Sequence, residues 1–388
     1  MLMGMAWRAV PITVLVTVLM LAPLVAACIS PYGFEDFEPT PLVAPGLTDE
    51  VAPVDVSAST VDDMFPRLVS YDGDLHALWI KSTGTTVVTE SLMVRSMNGS
   101  RWGPLMAINS PDPTNLSREG ELIRVAGFDV AVHQGLLYVV WSTPDPEVTD
   151  GTDNDLVYRT FDGSSWGPII QVLPGDAGGE DVLPAATSTD DGLLVAWTTN
   201  SPVLSDGTDQ DIVVTHLGPG SARRVVEVTP EGDSDNDFLP RAIGTPLGVH
   251  VVWHTRLLRE APGHRGLENG MVISGRWMWS GVWHDIEDYT GGVSGEDVWM
   301  DLMWDEYRLC MAWQRGGVDL GYSSTTVMYR EWTLEGFSPV QDLAVRQDGA
   351  NNGRPRLALV EGNVTVYWHT NDDGVTVGST YDLVHRVN

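Results

Sequence analysis

The chain has 388 residues and carries 53 acids against 22 bases, for a net charge of −31. One of those bases, Lys81, is a lysine and the others are arginines. Such a surface repels phosphate backbones and anionic headgroups, which excludes nucleic acid as a partner and favours solubility and cations.

At the N-terminus, Arg8 precedes an apolar run from Val10 to Val25, followed by Val25-Ala-Ala-Cys28. Small residues before a cleavage point predict a signal peptide over residues 1–27. A cysteine directly after them resembles the lipobox of bacterial and some archaeal lipoproteins, which implies lipidation of Cys28 and a place on the membrane outside the cytoplasm. An uncleaved anchor helix is the other reading of this run, and it gives the same address. Residues 28–49, rich in proline and acids, read as a tether. The apolar stretch Val51-Ala-Pro-Val-Asp-Val56 then precedes the first repeat and has no repeat of its own.

From residue 50 to 388 the sequence repeats. Trp79, Trp141, Trp197, Trp253, Trp313 and Trp368 are separated by 62, 56, 56, 60 and 55 residues. Thirteen residues before them stand Pro66, Phe128, Pro184, Pro240, Met300 and Pro355. Three residues earlier still stand Asp63, Val125, Asp181, Asp237, Asp297 and Asn352. One unit reads as four strands: Asp181 to Thr187, Leu193 to Trp197, Ile212 to His216 and Val225 to Val228, with turn residues Thr189-Asp-Asp-Gly192 and Gly218-Pro-Gly220 between them. Elsewhere Asn98-Gly99 and Asp162-Gly163 supply the residues of a tight hairpin. Repeated four-stranded units of this length predict an all-β, six-bladed β-propeller. The sixth unit lacks a fourth strand, so residues 51–56 are expected to pair with 381–387 and close the ring, which hides two sheet edges. The prolines suit an innermost strand, where a missing donor is tolerated, and the six tryptophans are expected in the core.

Function is less legible. Cys310 lies in the apolar Leu309-Cys-Met-Ala-Trp313 and reads as a buried small hydrophobe without disulfide or thiol chemistry. The sequons at Asn98, Asn115 and Asn363 need no function, and Asn98 is explained by its turn. No His-rich zinc motif, Gly-x-Ser-x-Gly elbow or phosphate loop is present. His254 and His369 each follow a repeat tryptophan and read as structural. The long loops gather acids. Asp233, Asp235 and Asp237 alternate, and two loops match each other, with Asp150, Asp153 and Asp155 in one and Asp206, Asp209 and Asp211 in the other. Alternating carboxylates can wrap Ca²⁺ or simply make turns. No motif requires a cofactor.

Arg67, Arg241 and Arg356 follow the inner-strand proline in three blades, and converging arginines bind a carboxylate bidentately. With Thr160-Phe-Asp162-Gly163-Ser-Ser-Trp166 and Ser96-Met-Asn98-Gly99-Ser-Arg-Trp102 at the turns between third and fourth strands, the chain resembles the sialidase-like propellers with degenerate Asp-box repeats. The blade pattern covers residues 50–388, and the box is one residue shorter than the family's. The family's arginine usually precedes the proline, and Arg354-Pro355 is the near match in that order. The resemblance implies a glycoside hydrolase with a tyrosine, a glutamate and an acid beside the arginines. Tyr322, Tyr289 and Tyr381 and Glu180, Glu231 and Glu296 are the residues available for those roles. Without a set selected by spacing, the preferred reading is an anchored module that binds a saccharide or an envelope protein. A sialidase-type hydrolase and an envelope-complex scaffold are the alternatives.

Overall fold

The computed structural model describes Thr40, Pro41 and residues 62–387, apart from 84–88, 100, 115–124, 176–177, 208, 219–223, 231–234, 258–269, 292–295, 317–324, 345–350, 361 and 371–381. Cys28, residues 51–56, Glu231, Asp233, Tyr322, Tyr381 and the Asn115 sequon lie outside the described residues.

The described residues form six antiparallel sheets and no helix. Blade three shows the plan, with Asp181–Thr189, Gly192–Thr199, Asp211–Leu217 and Val226–Glu227 hydrogen-bonded in that order from inside to outside. Blade one begins with Asp62–Tyr71, blade two with Phe128–His133, blade four with Asn236–Thr245, blade five with Glu296–Trp304 and blade six with Asn352–Val360. Each of these inner strands pairs with a second strand bearing one of the six tryptophans.

Four interblade cores join a second-strand tryptophan to the preceding blade. Trp141 packs with Leu78, Ile80 and Leu92 of blade one, and Trp197 with Ala131, Val140 and Leu156 of blade two. Trp253 packs with Leu194 and Val214 of blade three, and Trp313 with Val252 and Ile273 of blade four. Burying a tryptophan removes roughly 150–250 Å² from water, worth about 4–6 kcal/mol as an upper estimate.

The acid sixteen residues before the tryptophan explains their shared period. Asp181, Asp237 and Asp297 each accept the indole N–H of their own blade's tryptophan, at 2.9, 2.8 and 2.6 Å, and Asn352 does so at 3.1 Å. A buried indole N–H needs an acceptor, and the inner strand supplies it across the sheet.

A second repeat sits on the third strands. Arg95, Arg159, Arg276 and Arg330 each donate from Nε to the carbonyl eight residues on, at 2.8, 2.5, 2.5 and 2.8 Å. Several also reach the preceding blade. Arg159 donates to the carbonyls of Ile108 and Ser110, Arg330 to those of Asp288 and Tyr289, and Arg386 to that of Leu343. These arginines staple neighbouring blades.

Blade six is completed from the N-terminus, as expected, but by a different segment. Thr40–Pro41 pairs with Asp382–Val387, setting Thr40 opposite His385 and Pro41 opposite Val384. This outer strand comes from the proline-rich stretch read as tether; residues 51–56, expected to close the ring, lie outside the described residues. A proline is tolerated on this outermost edge, where its missing donor is not needed.

Candidate ligand-binding site on the propeller axis

A β-bulge interrupts five inner strands at one place: between Met64 and Arg67, Val182 and Ala185, Phe238 and Arg241, Val298 and Asp301, and Gly353 and Arg356. The residue before the proline position has positive φ in all six blades: Phe65 (56°), Gly127 (104°), Leu183 (57°), Leu239 (53°), Trp299 (56°) and Arg354 (51°). For a residue with a Cβ, this conformation costs on the order of 1–2 kcal/mol. Five repetitions of it in bulky residues mark a constraint on where the side chains go.

The bulge gathers residues of adjacent blades around the axis. Leu183 lies against the backbone of Gly127, with Cδ2 3.2 Å from where a Cβ would stand. The guanidinium of Arg354 lies over the Trp299 ring, 5.0 Å from its centroid. Phe65 and Trp299 remain 60% and 45% exposed. With Leu183 and Leu239 they make an apolar collar carrying one cation.

One residue beyond the proline position, the six blades present Arg67, Asp129, Ala185, Arg241, Asp301 and Arg356. Arg67 of blade one pairs with Asp129 of blade two, Nε to Oδ1 at 3.4 Å. Asp129 also accepts the amide of Ala186 from blade three at 2.9 Å, and Asp301 accepts that of Leu357 from blade six at 2.9 Å. Arg241 senses the whole layer. Burial lowers its pKa, as do the charges of Arg67 and Arg356, while Asp129 and Asp301 raise it. Burial raises the Asp301 carboxyl, opposed by the Leu357 amide and then by Arg356 and Arg241. Both groups keep some accessible surface, as groups lining a lumen do. Three guanidinium groups and two carboxylates thus share the axis, with one positive charge in excess.

Sequence reasoning named the three arginines. It missed Asp129 and Asp301, and it did not assign the collar. The signal was available, because Phe128 and Met300 hold the proline position and the residue after each is an aspartate.

The other sequence candidates lie elsewhere. Glu180 is exposed in an interblade loop, where its Oε2 accepts Asn154 Nδ2 at 2.5 Å. Glu296 opens the inner strand of blade five, and Tyr289 is buried with its hydroxyl 2.9 Å from His250 Nδ1. A hydrogen-bonded tyrosine–glutamate pair, Tyr329–Glu331 at 2.8 Å, lies on a third strand beside Arg308, and burial raises the phenol's pKa. Asp235 is buried, and Asp237 is committed to Trp253 and Thr255. Asp150, Asp153 and Asp155 each bring a carboxylate oxygen within 4.8 Å of the others, and so do Asp206, Asp209 and Asp211. His254 is buried and stacks on Phe238, with centroids 6.0 Å apart. Cys310 is buried and its thiol pushed up to about 12 by burial.

The Asp-box-like turn of blade two is structural. Asp162 accepts the amides of Ser164 and Ser165 at 2.8 Å, and these bonds with the Ser164 hydroxyl hold its carboxyl at about 2. Off the axis, a hollow of about 400 Å³ is lined by Glu227, Thr229, Pro230, Arg276, Asp285 and Ile286. Its arginine is already bonded to the His284 carbonyl.

No family model and no curated sequence matches the chain. Solved structures do share its fold. The α-L-arabinanase of Penicillium chrysogenum complexed with arabinobiose is 14% identical, with a TM-score of 0.50 over 84% of this chain and 93% of that one. A mutant α-L-arabinofuranosidase of Fusarium graminearum bound to an iminosugar inhibitor is 12% identical, with a TM-score of 0.51 over 84% and 92%. The sialidase of Trypanosoma rangeli in complex with sialic acid is 12% identical, with a TM-score of 0.49 over 84% of this chain and 54% of that one.

Proposed function

We propose that this six-bladed propeller of sialidase-like fold is a binding module for carboxylate-bearing saccharides. The ligand lies at the axial mouth, and the signal sequence and Cys28 hold the module on the outer side of a membrane. The observation that carries the reading is the convergence of Arg67, Arg241 and Arg356 on the axis with one positive charge beyond what Asp129 and Asp301 offset. A sugar carboxylate supplies the missing charge. Phe65 and Trp299 offer the flat apolar surface that a pyranose face packs against. The layer favours binding over turnover because both carboxylates already accept backbone amides. The tyrosine–glutamate pair that supports a glycosidase elsewhere is here on a third strand.

A glycan array comparing acidic with neutral saccharides tests this, together with fluorogenic sialoside and arabinoside assays on the full-chain protein. Acidic glycans are expected to bind without turnover. Arg241→Gln, which removes a charge-assisted bidentate donor, should weaken binding about 10–100-fold. Equal retention of neutral and acidic glycans, or an Arg241→Gln variant that binds like the parent, overturns the reading. Turnover of either fluorogenic substrate would establish the second reading, a glycoside hydrolase, which rests on the same three arginines.

A further inference from the structure

The loop between the second and third strands of blade three holds Asp206, Asp209 and Asp211, and one carboxylate oxygen of each lies within 4.8 Å of the other two. Three acids at this range repel one another unless water or a cation stands between them. Asp211 has little access to water, being 2% exposed. Its Oδ1 accepts the Thr229 hydroxyl at 3.0 Å, while its Oδ2 is buried with no hydrogen-bond donor. The nearby Ser205 hydroxyl donates instead to the Ser201 carbonyl at 3.3 Å. Burial raises the Asp211 carboxyl, the Ser205 and Thr229 hydroxyls lower it, and the charge of Asp206 raises it again. A buried carboxylate oxygen with nothing to donate to it, on an acid clustered with two further carboxylates, is a ligand atom lacking its partner.

We propose that Asp206, Asp209 and Asp211 bind a calcium ion, with Oδ2 of Asp211 as the buried ligand. Every donor in the cluster is a carboxylate oxygen, which suits a hard cation and not zinc or copper. The loop is open to water at the exposed Asp206, so solvent can complete an irregular shell of the kind calcium accepts and magnesium resists. In the matching loop of blade two, no buried carboxylate oxygen of Asp150, Asp153 or Asp155 is left without a hydrogen-bond donor. Asp150 accepts the amide and hydroxyl of Thr152 at 2.9 and 2.8 Å, and Asp153 accepts the amide of Gly179 at 2.7 Å. That loop therefore serves as the internal comparison. The proposal stands apart from the saccharide reading, since it involves no axial residue.

The test is calorimetric titration of the chelator-treated full chain with CaCl₂ in about 0.15 M salt, with thermal melts beside it. The parent should show one saturable event and a higher melting temperature with calcium. Asp206→Asn, Asp209→Asn and Asp211→Asn should each weaken calcium binding at least about tenfold, while Asp150→Asn with Asp153→Asn should leave the event in place. Asp206 is exposed, so its variant should keep the parent's calcium-free melting temperature and shows that lost binding is not lost folding. No saturable heat and an unmoved melt up to about 5 mM calcium would overturn the proposal. Parental affinity in the Asp206 and Asp209 variants, or loss of binding in the blade-two variant alone, would overturn it as well.

Discussion

Replacing Asp297 by asparagine isolates one charge in the core of blade five. Asp297 is fully buried; its Oδ1 accepts Trp313 Nε1 and Arg315 Nε at 2.6 Å each, and its Oδ2 accepts a terminal nitrogen of Arg315 at 2.9 Å. Blade six shows what an amide does in this place, since Asn352 accepts Trp368 Nε1 at 3.1 Å. There Thr370 stands where blade five has Arg315. Asp297→Asn should therefore keep the indole bond and strip a buried guanidinium of its counter-charge. Removing one partner of a buried pair costs about 3–5 kcal/mol. With an unfolding entropy of about 2.1 cal/mol/K per residue over the roughly 340 residues of the repeat region, 4 kcal/mol lowers the melting temperature by about 6 °C. Asp297→Asn combined with Arg315→Thr rebuilds the blade-six arrangement and should recover most of that loss. Scanning calorimetry of the two single variants and the double variant closes the cycle. A single Asp297→Asn that melts within about 1 °C of the parent, or a double variant no more stable than it, refutes the reasoning.

Three further outcomes follow from the packing. Burial holds His254 neutral, its pKa pushed down to about 4 from 6.5. The unfolded chain takes up a proton there that the fold refuses, so this stability is complete above pH 6.5 and is lost as the pH falls toward 4, by about 3 kcal/mol in full. His254→Phe should flatten the dependence of the urea midpoint on pH in that window, and an unaltered slope counts against it. Arg159→Met leaves the carbonyls of Ile108, Ser110 and Gly167 without their donor and should cost about 2–4 kcal/mol in urea melts. Arg159→Lys should recover only part of it, because an ammonium does not reproduce the fork; a parental Arg159→Met melt refutes the staple. Deleting residues 1–38 should leave the melt unchanged, whereas deleting through residue 45 removes Thr40–Pro41, bares an edge of blade six and should lower the melt or cause aggregation. Equal stability of the two truncations would show that this strand does not close the ring.

Much of the fold was legible because it is written at fixed spacing. Four of the tryptophans are each joined to the Asp or Asn sixteen residues before them by a hydrogen bond across one hairpin, and a short hairpin keeps its length. The third-strand arginines were not legible. The loop before them varies, so Arg95 follows its tryptophan by 16 residues, Arg159 by 18 and Arg276 by 23. The axial layer was half legible. Arg67, Arg241 and Arg356 are flagged by their prolines, whereas Asp129 and Asp301 follow Phe128 and Met300, and pairing across blades appears in no local pattern. The outer strand at Thr40–Pro41 was not legible, since residues 51–56 have the stronger β composition and drew the expectation to themselves. Two residues held at the outer edge, Thr40 and Pro41, give no periodic signal at all.

The arginine staples point one way around the ring. Arg159 fastens blade two to blade one, Arg330 blade five to blade four, and Arg386 blade six to blade five. A blade that carries such an arginine brings its own attachment to its predecessor and needs no matching donor from its successor. Duplicating that segment of the gene would thus add a cassette already equipped to dock. What holds the count at six is the meeting of Thr40–Pro41 with Asp382–Val387, and an inserted blade would have to preserve that meeting before anything else.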